Sequence, residues 1–205
     1  MKRQAKTHAW HHQHVNDFYV RQSVEQGWRS RAAFKLMEID DKDRLLKPGQ
    51  TVVDLGCAPG GWCQVAAERL RCNGRIVGVD LLDMVGIAGV TFIQGDFTED
   101  AVLAELEAAG IENGVDLVLS DMAPNISGVD SADQARSYYL AELALDFARG
   151  HLKPDGAFLI KVFQGSGFEE YVKQLRATFL SVVTRKPKAS RDRSREVYLL
   201  GKGLK

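Results

Sequence analysis

The feature that most constrains this chain is a succession of short apolar runs separated by amphipathic segments. TVVDLG (51–56), RIVGVDL (75–81), VTFIQGD (90–96), VDLVLSD (115–121) and GAFLIKVF (156–163) read as strands. A helix begins near Ser30, with Ala33, Leu36, Met37 and Ile39 close to one face, and further helical stretches follow at 61–70, 101–110, 131–152 and 168–179. Lys47-Pro48-Gly49 breaks the first helix, Gly110 stops the third, and Ser131 caps the fourth. Strands this uniformly apolar are buried on both faces, which requires a parallel sheet covered by helices on each side. Two closing strands, SVVTRKP (181–187) and REVYLLG (195–201), have no helix between them and are expected to pair antiparallel at one edge.

The 205 residues suffice for one compact domain, and 45% apolar with 26% charged residues excludes wholesale disorder. No internal repeat and no linker divide the chain. Residues 1–20, polar and carrying His8, His11, His12 and His14, read as a flexible arm, and residues 21–205 as a single domain. No run approaches the roughly 18 apolar residues of a membrane span, so no membrane partner is expected. The three cysteines, Cys57, Cys63 and Cys72, are odd in number and match no zinc spacing. A reducing cytoplasm and no metal are the expectation. The formal net charge of zero hides a pattern: residues 1–35 carry +5, residues 181–205 carry +6, and the stretch between them −11. An acidic body with two basic ends suits a polyanionic partner such as nucleic acid.

Chemistry-bearing residues gather where the strands end, the place at which doubly wound sheets bind ligands. The first strand runs into Asp54-Leu55-Gly56-Cys57-Ala58-Pro59-Gly60-Gly61-Trp62, the second ends on Asp80, the third on Gly95-Asp96 and the fourth on Ser120-Asp121. Glycines at 56, 60 and 61 fail the dinucleotide spacing, and no Gly-Lys-Ser/Thr follows, so neither a nicotinamide fingerprint nor a P-loop is present. Asp80 can accept from both ribose hydroxyls, and Asp96 from an exocyclic amine such as that of adenine. Several carboxylates with no lysine in the loop suit a ribose, an adenine and an amino-acid end without phosphate. That describes S-adenosylmethionine, whose sulfonium is drawn to acidic strand ends.

DLGCAPGGW, GVDL, QGDF and SDMAPNISG, together with RSRAAFKL (29–36), IKVFQGSGFEEY (160–171) and RKPKASRDRSREVYLL (185–200), resemble the FtsJ-type family of S-adenosylmethionine-dependent RNA ribose 2′-O-methyltransferases. The likeness runs from about Tyr19 onward and is strongest to the bacterial branch acting on the large ribosomal subunit. It implies a Rossmann-like methyltransferase fold and a single catalytic domain. It further implies methylation of a uridine 2′-hydroxyl in the A loop of 23S rRNA, in service of ribosome maturation. The family's Lys-Asp-Lys-Glu tetrad falls on Lys35, Asp121, Lys161 and Glu196, and its cofactor pocket on Gly60, Gly61, Trp62, Asp80, Asp96 and Asp121. A cytoplasmic monomer is expected.

A ribose hydroxyl is a weak nucleophile, so such an enzyme must align oxygen, methyl carbon and sulfur and remove a proton. Lys161 is the candidate base. Asp121 would hold it, Lys35 beside it would favour its neutral form and steady the developing oxyanion, and Glu196 would orient the remaining polar groups. Cys57 reads as small apolar filler. Arg29, Arg31, Lys186, Lys188, Arg191, Arg193 and Arg195 would flank the pocket and neutralise RNA phosphates. A non-catalytic RNA-binding assembly factor on the same fold is the alternative, although binding alone has no use for two lysines and two acids at one point.

Overall fold

A computed structural model describes residues 18–71, 73–124, 127–191 and 193–205; the His-rich stretch and Cys72 lie outside them. In chain order the elements are α1 (Phe18–Glu25), α2 (Ala32–Asp43), β1 (Thr51–Leu55), α3 (Gly61–Leu70), β2 (Arg75–Asp80), β3 (Val90–Gln94), α4 (Asp100–Leu106), β4 (Val115–Ser120), α5 (Asp130–His151), β5 (Leu152–Phe163), α6 (Phe168–Thr178), β6 (Phe179–Arg185) and β7 (Glu196–Leu204). Most boundaries fall within two residues of the sequence expectation. A wider π turn over Glu107–Ile111 extends α4 to the glycine expected to stop it. Gly110 takes φ +94° there, and its carbonyl accepts from Arg75 Nη1 at 2.6 Å.

Helix α1 corrects the sequence reading, because Phe18, Tyr19 and Val20 had been placed in the arm. Eight residues are too few to hold a helix unaided, and tertiary contact supplies the difference. The Tyr19 ring lies 5.5 Å from that of Phe34 on α2, and the Trp28 amide donates to the Ser23 carbonyl at 2.8 Å.

Among the described residues seven strands form one sheet, ordered β3-β2-β1-β4-β5-β7-β6. The first five are parallel to one another; β7 runs antiparallel to both β5 and β6. Strand order reverses between β1 and β4, which opens the crevice beyond their carboxyl ends. The closing pair is antiparallel as expected, but β7 sits inside and β6 takes the edge. That placement brings the start of β7 to the carboxyl end of β5, with Phe163 opposite Glu196 and Lys161 opposite Tyr198.

Two apolar layers flank the sheet. One joins Val53, Leu55, Phe158, Ile160, Val162, Val197 and Leu199 to α4, α5 and α6; the other joins Val52, Leu159, Tyr198 and Leu200 to α2 and α3. Because side chains alternate along a strand, Asp54, Lys161, Glu196 and Tyr198 all project to the α2/α3 face. The strand period therefore puts three charged groups under the helix that carries Lys35.

Candidate active site

Helix α2 delivers Lys35 to the sheet because the basic loop 186–195 clamps it. The Glu38 carboxylate accepts from the amides of Lys188 and Ala189 at 2.7 and 2.9 Å, and the Arg31 guanidinium donates to the Ala189 carbonyl. At the far end of the helix, Asp40 Oδ1 accepts from the Leu45 and Leu46 amides, at 2.9 and 2.8 Å. Thus held, Lys35 Nζ meets Glu196 Oε1 at 2.6 Å, with both side chains about nine-tenths buried. Burial pushes the Glu196 carboxyl up, but the charge and hydrogen bond of Lys35, with Lys161 further off, bring it net below its ordinary value.

The second lysine is placed by β4 and β5. Lys161 Nζ lies 3.1 Å from Asp121 Oδ1 and donates to the Asp121 carbonyl at 2.6 Å. Tyr198 links the two pairs: its hydroxyl donates to Asp121 Oδ1 at 2.9 Å, and Lys35 Nζ sits 5.7 Å from its ring centroid. Burial, and then the Asp121 charge, hold the Tyr198 phenol well above its usual range, so it stays a donor. All four tetrad residues are brought together. Lys35 pairs with Glu196, and Lys161 with Asp121. Tyr198 was missed, although its signal was the two-residue spacing from Glu196, which puts both on one face of β7.

Beneath this rim lies the crevice formed by the first loop. Asp80 Oδ2 accepts from the Ala58 amide and Oδ1 from the Leu82 amide, each at 2.8 Å. Asp96 Oδ1 accepts from the Thr98 amide and hydroxyl, which leaves its second oxygen available. Gly60 adopts φ +105°, and a Cβ there would lie 2.7 Å from Ile87; one at Gly61 would lie 2.5 Å from the Ser30 hydroxyl. The positive φ at position 60 favours glycine there, and the amides of the first turn of α3 have no partner within the helix. Trp62 contributes main chain alone: its ring is 2% exposed and its Nε1 donates to the Ala32 carbonyl at 2.8 Å. Asp54 is fully buried; Cys63 Sγ lies 3.2 Å from one of its oxygens, and the other has no hydrogen-bond partner among the described residues. Its pKa is raised to about 7 by burial, against a lowering by the Cys63 hydrogen bond and with added push from Asp121 and Asp80. Acids at four strand ends and a glycine cradle suit a cationic ligand rich in hydroxyl and amine donors, and disfavour a phosphate.

The seven basic residues divide into two groups. Arg29 is part of the scaffold, donating to the carbonyls of Pro59, Val85 and Gly86 at 3.1, 2.5 and 2.8 Å and so stapling the glycine loop to the 85–86 segment. Arg31 braces the loop as described, and Lys186 Nζ donates within it to the carbonyls of Ser194 and Glu196 at 2.5 and 2.7 Å. Lys188, Arg191, Arg193 and Arg195 are exposed on the loop that leads into Glu196.

The model of the FtsJ-like methyltransferase family matches residues 28–204. The chain belongs to this family. Over its full length it is 63% identical to the Ribosomal RNA large subunit methyltransferase E of Azoarcus sp. (strain BH72), covering all of both chains, and 60% identical to that of Dechloromonas aromatica (strain RCB), again covering all of both. A solved Plasmodium falciparum structure, assigned as a ribosomal RNA methyltransferase, superposes with a TM-score of 0.78 at 34% identity, over 86% of this chain and 98% of the other. The protein is a methyltransferase, and its mixed sheet stands in a family of that chemistry.

Proposed function

We propose that this methyltransferase modifies the ribose 2′-hydroxyl of a uridine in the A loop of 23S rRNA, on assembled or nearly assembled large subunits, using S-adenosylmethionine. The observation that carries the reading is the Lys161–Asp121 pair, joined through Tyr198 to Lys35–Glu196 at the mouth of an acidic crevice. The relatives' common name supplies the RNA class. All four tetrad residues come from one chain, so a monomer suffices, and a cytoplasmic setting follows from the substrate. Residues from Phe18 onward form the catalytic domain in this reading.

Asp80 and Asp96 would hold the ribose and adenine of the cofactor, and Gly60, Gly61 and the Trp62 amide would lie against it. When bound, S-adenosylmethionine supplies a methyl group already activated by its sulfonium. The chain's own residues must then place and deprotonate the hydroxyl. A neutral amine has two N–H donors and one lone pair. The two Asp121 oxygens take both donors of Lys161, which leaves the lone pair for the proton of the 2′-hydroxyl. Lys35, fixed by Glu196, adds positive potential near the oxygen as charge develops on it, while the Tyr198 phenol holds Asp121 Oδ1 in place.

The deciding experiment incubates the protein with tritiated S-adenosylmethionine and large subunits lacking the mark. Label on one ribose of 23S rRNA is the expected result, and label on a base would overturn the reading. Asp80→Ala is expected to weaken cofactor binding about ten- to a hundred-fold, the worth of a charge-assisted hydrogen bond. Calorimetry that finds unchanged affinity would remove Asp80 from the pocket.

Of the exposed loop residues, Lys188, Arg191 and Arg193 are assigned to phosphate contacts. Replacing Lys188 and Arg193 with Ala is expected to leave cofactor affinity intact and to flatten the salt dependence of RNA binding by about 0.7–0.9 per lost contact. A slope as steep as that of the wild type would make this loop merely a solvated face.

A further inference from the structure

A cavity of about 220 Å³ opens beside Lys161, walled by Pro124, Asp133, Gln134, Ser137, Phe163 and Arg195. It adjoins the reacting centre. Phe163 ends the strand that carries Lys161, whose Nζ lies 5.9 Å from the Phe163 ring centroid; Pro124 follows Asp121 by three residues; and Arg195 precedes Glu196. None of these residues has a part in the cofactor crevice or the tetrad.

The charge of the cavity selects its occupant. Among the described residues, Asp130 and Asp133 stand at it against one cation, Arg195. The Asp133 carboxylate is already engaged, accepting from the Ser127 amide and hydroxyl at 2.8 and 2.6 Å and from the Gly128 amide at 3.0 Å. A phosphate would be repelled by the acids, whereas a flat, neutral, hydrogen-bonding group would not. The base is the neutral part of a nucleotide. Enzymes that act on one nucleotide within folded RNA commonly turn it out of its stack and hold the base against apolar and aromatic walls.

Gln134 sets the hydrogen-bond pattern. Its Nε2 donates to the Phe163 carbonyl at 3.3 Å, and the Tyr138 hydroxyl donates to the same carbonyl at 2.7 Å. A main-chain carbonyl only accepts, so the amide cannot be reversed and Oε1 is left as an acceptor. Arg195 offers donors alone. An acceptor on one lining residue and donors on another complement uracil, with its N3–H between two carbonyls. Cytosine presents a lone pair at N3 instead and meets Oε1 unfavourably.

We propose that this cavity receives the base of the target nucleotide and that Gln134 selects uracil over cytosine there; the proposal rests on the ribose-methylation reading above. The test uses large subunits lacking the mark, with either uridine or cytidine at the target position, and follows tritiated methyl transfer by wild type and Gln134→Ala. Wild type should favour uridine by about ten-fold or more, the worth of a hydrogen bond exchanged for a repulsion. Gln134→Ala should bring the two rates close together while cofactor affinity, measured by calorimetry, stays at the wild-type value. A uridine preference that survives in Gln134→Ala overturns the proposal, as does a wild-type enzyme indifferent to the base. Failure of the parent reading is seen separately, as label mapping to something other than ribose in the wild-type reaction.

Discussion

Lys161→Ala is expected to abolish methyl transfer, by several orders of magnitude in kcat, while S-adenosylmethionine and RNA still bind. The proposed work of the amine occurs only as the proton leaves the 2′-oxygen, so its loss should fall on kcat and kcat/KM together. The arginine variant separates two mechanisms. Guanidinium keeps the positive charge beside Asp121 but does not deprotonate in a protein. If Lys161 takes the proton, Lys161→Arg is nearly as inactive as Lys161→Ala. Single-turnover transfer with labelled cofactor makes the comparison. Near-normal turnover in Lys161→Arg would refute the base and leave electrostatic stabilisation in its place.

Asp54 carries the second large effect, on stability rather than rate. Its pKa is raised to about 7 in the folded protein from an ordinary value of 3.8, first by burial. A carboxyl that holds its proton more tightly when folded stabilises the fold fully below about pH 4. That contribution, on the order of 4 kcal/mol at its limit, is lost as the pH rises through about 7. Between pH 5 and 8 the folded protein without cofactor is therefore expected to lose stability on this account. Asp54→Asn stays neutral throughout and should flatten the change. Urea unfolding at both pH values measures it, and a variant with the same pH slope as wild type would show that Asp54 is not the titrating group. The same burial bears on the crevice: ionising Asp54 adds a third negative charge beside Asp80 and Asp121, which favours a cationic ligand.

Much of the architecture was legible because hydrophobic period is a local property. The uniformly apolar runs at 51–56, 75–81 and 115–121 could be buried only as inner strands, and they are β1, β2 and β4. The acids at 54, 80, 96 and 121 announced an acidic crevice because each closes a strand. Helix α1 was not legible: its eight residues owe their form to Phe34 and to the chain turning back at Trp28. Nor could the roles of the basic residues be separated in advance. Arg29, Arg31 and Lys186 look the same in sequence as Lys188 and Arg193, and only the carbonyls that face them reveal the difference.

The sequence by itself determined a doubly wound α/β sheet with acids at its strand ends, since periodicity and strand-end carboxylates are written along the chain, and its motifs carry the resemblance to a methyltransferase family with two lysines and two acids. Only the tertiary structure decided which lysine meets which acid. Lys35 and Glu196 are far apart in sequence, and their contact depends on β7 running antiparallel beside β5 and on Glu38 clamping the basic loop to α2. Ion pairing depends on distance and burial, and neither is set until long-range packing has brought the two segments together.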